Sequence, residues 1–125
     1  MFELTISEEF EAAHRLPEYD GKCCRLHGHN WRVEVSVRGK ELDSSGLLID
    51  FKELKQQVAE VLLTLDHYYL NETVPFSTVP PTAEHIAKYI YETISGHVNF
   101  AGRVKVHAVK VWESPRSCAA YFPEG

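Results

Sequence analysis

Two segments in the first third of the chain alternate between apolar and polar residues, a pattern that predicts half-buried β-strands. The apolar residues of the first segment have even numbers and are Phe2, Leu4, Ile6, Phe10 and Ala12. Those of the second segment have odd numbers and are Trp31, Val33, Val35 and Val37. Because alternate strand residues point to the same side, His14 continues the first apolar face, and His27 and His29 continue the second. All three imidazoles are therefore predicted to point inward.

The next two apolar patterns have the spacing of amphipathic helices. The first begins after Asp50, a good N-cap residue, and Glu53 stands where it completes a capping box. Its apolar stripe covers about four turns and consists of Phe51, Leu54, Val58, Val61, Leu62 and Leu65. The second begins after Thr82, and Gly96 is placed to stop it just past its end. Its stripe consists of Ile86, Ile90 and Ile94.

Two β-rich runs, 104–112 and 118–122, end the chain, and the turn-forming residues Ser114, Pro115 and Arg116 separate them. The predicted order is therefore strand, strand, helix, helix, strand, strand. This order favours an α+β fold in which a four-stranded antiparallel sheet carries both helices on one face. So small a domain cannot cover the second sheet face with its own chain, so we expect other subunits to cover it by associating through their sheets.

The composition is that of one globular domain, which we assign to residues 1–125. A chain of 125 residues has room for one core, and its 44% hydrophobic and 25% charged residues are ordinary values for a soluble protein. The net charge of −5 argues against a nonspecific nucleic-acid partner. No apolar run is long enough to span a membrane, and the first residues carry acids where a secretory signal has bases. We therefore expect a cytoplasmic protein with no membrane partner.

The stretch KCCRLHGHNW, residues 22 to 31, holds the densest candidate chemistry. On a strand, His27 and His29 project to one side with Cα atoms roughly 6 to 7 Å apart, which suits chelation of one ion. An imidazole from His14 would complete a three-histidine set with one open coordination position, the pattern of a catalytic zinc site. The residues alone leave a second interpretation open, in which HGH forms a polar turn and His14 is a satisfied core residue.

The cysteines in the same stretch allow further interpretations. Three cysteines, two of them adjacent, make a poor disulfide framework, so we expect reduced thiols. Cys23 or Cys24 can join two histidines in a closed structural zinc site, although the pair lacks the spacer of a CxxC motif. Alternatively, a cysteine near a bound dication and the cations Lys22 and Arg25 is a candidate for a stabilised thiolate that acts as a base.

Six blocks of the sequence, in order over nearly the whole chain, resemble the 6-pyruvoyl-tetrahydropterin synthase superfamily. They read FEAAHRLP, CCRLHGHNW, GLLIDFKELK, LDHYYLN, PTAEHIA and VWES. The interval from Cys23 to His27 in CxxxHGH is similar to that of the 6-carboxytetrahydropterin synthase branch, which serves queuosine biosynthesis, whereas the pyruvoyl-forming branch usually has a longer interval. Cys24 and the SPRSCAAY tail depart from the branch pattern.

The resemblance implies a set of site residues and a fold of the tunnelling type. It implies Zn²⁺ held by His14, His27 and His29, with Cys23 as the general base. It also implies that Asp66 and His67 form the second half of a proton relay, and that Glu113 anchors the pterin ring and can join that relay as a catalytic residue. A carboxylate suits that last task because it can accept two parallel hydrogen bonds from the pterin amino and ring N–H groups.

The resemblance further implies a reaction and an assembly. The enzyme would be a lyase that converts 7,8-dihydroneopterin triphosphate to 6-carboxy-5,6,7,8-tetrahydropterin, with loss of triphosphate and acetaldehyde, and it would be a homohexamer of two stacked trimers. Lys22, Arg25 and Arg116 are candidates to bind the triphosphate. The alternatives are 6-pyruvoyl-tetrahydropterin formation, an aldolase-like cleavage of dihydroneopterin, or a non-enzymatic module that zinc stabilises. We assign no function to His85, His97, His107 or Cys118.

Overall fold

The computed structural model describes residues 1–17, 25–97 and 102–123. Within these residues the strands are β1 (Phe2–His14), β2 (His27–Gly39), β3 (Lys105–Ser114) and β4 (Ser117–Tyr121), and the helices are α1 (Phe51–Leu62) and α2 (Ala83–His97). The strands form one antiparallel sheet in the order β1-β2-β3-β4. The predicted order of elements and the α+β class are confirmed.

The register of the sheet aligns the strands that carry the histidines. In the β1–β2 pair, His14 faces His27, Ala12 faces His29 and Phe10 faces Trp31. On the other side of β2, Val33 faces Val111 of β3. The residues that point toward the helices therefore form one continuous apolar surface, and the histidines lie at its end.

Both helices are capped as their sequences predict. Asp50 accepts a hydrogen bond from the backbone N–H of Lys52 at 2.8 Å, and Thr82 accepts one from that of His85 at 3.1 Å. Each side chain satisfies a backbone donor that has no partner within its helix. These caps fix where α1 and α2 begin.

Three details of the helix prediction are wrong. The side chain of Phe51 is 51% exposed, so it does not belong to the buried stripe of α1. That helix also ends at Leu62, and the fully buried Leu65 reaches the core from the turn that follows. Gly96 lies inside α2, which continues to His97. Helix propensity and apolar spacing determine the last residue of a helix only weakly, and a single glycine is not enough to end a helix.

The core lies between the helices and one face of the sheet. Ile86, Ile90 and Ile94 of α2 are buried there, as predicted. Trp31 is fully buried at the end of this core that adjoins the histidines, where it stacks on Phe10 with ring centroids 5.9 Å apart. Its indole N–H donates to the carbonyl of Ala12 at 3.2 Å. This contact ties β1 to β2 next to the histidines.

The opposite face of the sheet is polar. Arg38 pairs with Glu3 at 2.7 Å, and Glu34 accepts hydrogen bonds from Arg32 at 2.7 Å and from the Trp112 indole at 2.9 Å. A partner on this face would meet charges and hydrogen-bonding groups rather than an apolar surface. Neither helix in the described ranges combines the length and the hydropathy that a membrane crossing requires.

The connection between the helices packs against the strand that leads to His14. It contains short 3₁₀ turns at Leu70–Glu72 and Val74–Phe76. The amide of Asn71 makes two hydrogen bonds to the backbone of Arg15, one to N–H and one to C=O, each of 2.8 Å. This connection is therefore held against the end of β1, and the carbonyl oxygen of its Pro81 lies 2.8 Å from Nδ1 of His14.

Candidate metal centre and adjoining cavity

His14, His27, His29 and Glu113 come together at one end of the sheet. Their potential ligand atoms all lie within 4.8 Å of one another. His14 is fully buried, and the other three are half-buried. The three histidines meet because strand parity turns them to one side and the β1–β2 register sets them side by side.

Backbone carbonyls orient two of the imidazoles. Nδ1 of His14 lies 2.8 Å from the carbonyl oxygen of Pro81, and Nδ1 of His27 lies 2.7 Å from that of Arg25. A carbonyl can only accept, so in each ring the proton belongs on Nδ1. The neutral ring then presents the lone pair of Nε2 to the centre of the cluster, as a metal-binding histidine does.

The Nε2 atoms of His14 and His27 are arranged as ligands of one cation rather than as partners of a hydrogen bond. Nε2 of His14 and Nε2 of His27 are 2.9 Å apart, which brings two lone pairs together when both rings are neutral. Two nitrogens on one tetrahedral zinc ion are separated by roughly 3.3 Å, only slightly more than this distance. The arrangement therefore matches a pair of ligands that share one ion.

His29 supplies an independent sign of the same fit. Its Nε2 is buried and lies 2.9 Å from a carboxylate oxygen of Glu113. The distance is that of an ion pair, but the direction is not that of a hydrogen bond, and this nitrogen has no other partner in the described part of the chain. Buried polar atoms are rarely left without a partner. A cation among these four side chains would provide one.

Burial keeps the imidazoles in the form that binds metals. Burial is the main cause that lowers the pKa of His14 below its ordinary value, and the hydrogen bond to Pro81 and the charge of Glu113 oppose the shift only in part. Burial likewise lowers the pKa of His29, again against the charge of Glu113. Both rings are therefore neutral near pH 7, with lone pairs available to a cation.

Glu113 occupies a place that the sequence did not indicate. Its predicted role is to anchor a pterin, but its carboxylate lies 2.9 Å from Nε2 of His29 and 3.7 Å from Nε2 of His14, where it can act as a fourth donor. Glu113 shares the parity of Val111, which points into the core, and an irregularity of the β3–β4 pairing falls between Trp112 and Ser114. Strand parity could have indicated that Glu113 points toward the same face as Val111. Which residues of the neighbouring strands it meets depends on the register of the sheet, which parity does not give.

Asp66 and His67 lie in the turn that follows α1. A carboxylate oxygen of Asp66 lies 3.0 Å from Nδ1 of His67 and accepts the backbone N–H of Glu11 at 2.9 Å. That bond from Glu11 is the main cause that lowers the pKa of Asp66. His67 has a φ of 63°, a left-handed conformation that is uncommon outside glycine. The two side chains are in contact, and their predicted role as half of a proton relay stays a prediction.

One cavity connects this pair with the histidine cluster. Its volume is about 490 Å³, and both His29 and His67 line it. Its other lining residues are Glu11, Ala12, Ala13, Gly28, Asn30, Tyr68 and Tyr69. A small molecule in this cavity would thus lie beside the strand segment that carries His29 and beside the Asp66–His67 pair.

The remaining candidates are less informative. Lys22, Cys23 and Cys24 lie outside the described residues, so their predicted roles stay predictions, and the side chain of His97, to which we assign no function, lies outside them too. Cys118 is an exposed thiol of β4, and Arg25 and Arg116 are exposed. His85 bonds the carbonyl of Pro80 at 2.7 Å, and His107 packs against Phe122 with centroids 5.6 Å apart. These contacts are structural, in line with assigning no function to either histidine.

Comparison with known protein families gives a match over most of the chain. Residues 3–124 match the family model described as 6-pyruvoyl tetrahydropterin synthase. The chain is 40% identical to the 6-carboxy-5,6,7,8-tetrahydropterin synthase of Synechocystis, over 90% of this chain and 87% of that protein. It is 36% identical to the protein of the same name from Bacillus subtilis, over 98% of this chain and 86% of the relative.

Two further comparisons point to the same group of proteins. The 6-pyruvoyl tetrahydrobiopterin synthase of Drosophila melanogaster is 33% identical, over 94% of this chain and 77% of that protein. Among solved structures, the 6-pyruvoyl tetrahydropterin synthase of Caenorhabditis elegans superposes with a TM-score of 0.88 at 29% identity, and the match covers 98% of this chain and 96% of that one. Sequence and fold therefore agree.

Proposed function

Because this chain belongs to the 6-pyruvoyl tetrahydropterin synthase family, we propose that it is the zinc-dependent lyase 6-carboxytetrahydropterin synthase. In this proposal it converts 7,8-dihydroneopterin triphosphate to 6-carboxy-5,6,7,8-tetrahydropterin, acetaldehyde and triphosphate, in the cytoplasm and as a step toward queuosine. The observation that carries the proposal is the cavity that His29 of the histidine cluster shares with His67 of the Asp66–His67 pair. A metal site and a proton-transfer pair beside one small-molecule cavity are what such a reaction needs.

The proposed zinc ligands are His14, His27 and His29. Three imidazoles with Nδ1 held by carbonyls, as seen for two of them here, are a donor set typical of catalytic zinc. When bound, zinc supplies a Lewis acid that lowers the proton affinity of substrate hydroxyls and stabilises negative charge on oxygen. The fourth position is then open to the substrate if the Glu113 carboxylate turns away from His29.

The proton transfers are proposed to fall to the Asp66–His67 pair and to Cys23. In the Asp66–His67 pair, the carboxylate holds Nδ1 of the imidazole and leaves Nε2 to take and return a proton. Cys23 is proposed as the second base, on the basis of the family resemblance. A histidine held by an aspartate in one tautomer is a common proton-transfer unit because its ring is oriented before the substrate arrives.

Glu113 is proposed to hold the pterin ring. Its carboxylate is half-buried and shares its surroundings with His14 and His29, so two charge-assisted hydrogen bonds to a pterin would form in a partly dehydrated site. The triphosphate is proposed to reach the exposed cations Arg25 and Arg116, together with Lys22. These assignments divide the substrate between an acidic and a basic end.

The assembly is proposed to be a homohexamer of two stacked trimers. The sheet order leaves β1 and β4 as edge strands of the described sheet, and unpaired edges are templates for pairing with another chain. Pairing between copies along these edges would extend the sheet from one subunit to the next. Sedimentation at micromolar concentration tests this part, and a monomer would contradict it.

Product analysis tests the proposed reaction. Purified protein with zinc is expected to release acetaldehyde, which can be trapped as a hydrazone, and to form the 6-carboxy product. Cys23→Ala should abolish turnover with zinc retained, whereas the matched variant Cys24→Ala should keep most of the activity. If the main product is 6-pyruvoyl-tetrahydropterin without acetaldehyde, the second candidate holds, which the similarity to the Drosophila enzyme favours.

A chelator tests whether the proposed zinc is catalytic or only structural, because removal of a catalytic metal leaves the fold intact and removal of a structural metal unfolds it. Circular dichroism and sedimentation after chelation are expected to show a folded, associated protein that has lost turnover. An unfolded chain would identify the metal as structural.

A further inference from the structure

Glu11 contacts the Asp66–His67 pair through three separate groups. Its backbone N–H donates to the Asp66 carboxylate at 2.9 Å, and its backbone carbonyl accepts the N–H of His67 at 2.5 Å. Its carboxylate lies 3.3 Å from Nε2 of His67. Glu11 belongs to the edge strand β1 and is 55 residues from Asp66 in the chain. These contacts dock the turn after α1 onto the strand that ends at His14.

The backbone contacts explain why His67 can hold a left-handed conformation. This conformation costs a residue with a side chain roughly 1–2 kcal/mol, so something around it must compensate. The pairing of Glu11 with residues 66 and 67 does so, and the neighbouring N–H of Ala13 adds a bond to the carbonyl of Tyr68 at 3.1 Å. With the backbone in this left-handed conformation, His67 is one of the residues that line the cavity.

The carboxylate of Glu11 has a different effect from its backbone. Asp66 holds Nδ1 of His67 at 3.0 Å, and Glu11 lies at the opposite nitrogen, so the imidazole stands between two carboxylates. The His67 side chain is 73% exposed and has little packing of its own to restrict ring rotation. Contacts on both ring nitrogens restrict rotation of the ring more than the contact with Asp66 alone would.

We propose that Glu11 is a positioning residue, whose carboxylate sets the orientation of the His67 ring in the cavity until substrate takes over Nε2. The proposal rests on the proposed proton-transfer role of His67. Its structural alternative is that only the Glu11 backbone matters, as part of an edge strand. The two differ in what a side-chain substitution does, because Glu11→Ala keeps both backbone hydrogen bonds.

The test combines kinetics with a measurement on the ring itself. Zinc-loaded Glu11→Ala is expected to lose about ten-fold in kcat with KM within about two-fold, since proton transfer depends on ring orientation and binding does not. Glu11→Gln should recover part of kcat because its amide oxygen still accepts a bond from Nε2. Glu9→Ala is the matched control: Glu9 lies on the same face of β1, is exposed, and makes no ion pair among the described residues.

Selective ¹⁵N labelling of histidine reads the ring without substrate. In Glu11→Ala, the chemical shift of the His67 Nε2 resonance, assigned with His67→Gln, should change, because the carboxylate that lies 3.3 Å from this nitrogen is gone. In Glu9→Ala it should not move. Unchanged kcat, or a lower kcat with unchanged ring resonances, overturns the positioning role. If the wild-type protein turns over no pterin, the proposed function fails, whereas the resonance shift still tests the contact between Glu11 and His67.

Discussion

The inward nitrogens of His14 and His27 lie 2.9 Å apart at the end of two strands whose register pairs these residues. Both rings carry their proton on the opposite nitrogen, where the carbonyls of Pro81 and Arg25 accept it. The nitrogen lone pairs of the two rings therefore face each other at the centre of the cluster. A cation bound between them would remove this repulsion, and the first prediction follows from it.

Purified protein is expected to carry about one zinc ion per chain, and His27→Ala or His29→Ala should lose most of it. Removal of one of three imidazoles leaves two ligands, too few to hold zinc against chelation by buffer components. His85→Ala is the control: in the described structure the His85 side chain bonds only the carbonyl of Pro80, so this variant should keep its metal. Elemental analysis measures the content. Full occupancy in both cluster variants would rule out this site.

The metal-free protein should lose stability as the pH falls below 6.5. Burial lowers the pKa values of His14 and His29 in the folded chain from the ordinary value of 6.5, which they keep in the unfolded chain. At pH values between each lowered pKa and 6.5, the unfolded chain therefore binds more protons than the folded one. Stability therefore rises with pH through this window and is lost on acidification. Urea midpoints in chelator at pH 8 and pH 5.5 measure the effect. His14→Gln should flatten the dependence, and an unchanged slope would contradict the assignment to His14.

Glu113→Gln should impair substrate use more than zinc binding. An amide presents a donor where a pterin requires a second acceptor, which should cost on the order of 2–4 kcal/mol, or roughly 30- to 1000-fold in kcat/KM. Three histidines suffice to hold zinc, so metal content should change little. If the variant loses zinc as readily as His29→Ala, the carboxylate that lies 2.9 Å from His29 is a ligand and not the pterin anchor.

His67→Gly should be more stable than His67→Ala by about 1 kcal/mol. Both substitutions remove the imidazole, but only alanine keeps a Cβ in the left-handed backbone, where φ is 63°. Both variants lose the same imidazole contacts, so the difference between their free energies of unfolding in denaturant measures the cost of a Cβ in this backbone conformation. Equal midpoints would mean that the turn adopts another conformation once the side chain is gone.

Gly39→Ala should destabilise the protein by about 1–3 kcal/mol, because the added Cβ would lie 2.6 Å from the carbonyl oxygen of Arg103 and 2.6 Å from Cδ1 of Leu48. Gly96→Ala is the matched control. A Cβ at Gly96 meets nothing within 4 Å and favours the helix, so that variant should be as stable as the parent or slightly more stable. Thermal unfolding compares the two. Loss at both positions alike would show that the close approach at Gly39 is not the cause.

Local patterns in the sequence were sufficient for the elements and for part of the site. Strand parity has a period of two, so the sequence alone placed His14, His27 and His29 on the face of their apolar neighbours, where the structure has them. Asp50 and Thr82 predicted the starts of α1 and α2, because the capping hydrogen bond links a side chain to a backbone N–H only two or three residues later in the chain. Each of these inferences needs only residues close together in the chain.

Contacts between distant residues were decided by the tertiary structure. Pro81, 67 residues from His14, orients its ring, and Glu11 docks on Asp66 across 55 residues. Glu113 joins the histidines through a register and an irregularity that parity cannot specify, and Phe51 is exposed although it continues a helical stripe. A periodic pattern says which face of an element is buried. It does not say which residue lies opposite or how wide the covering surface is, because those depend on how separate elements pack.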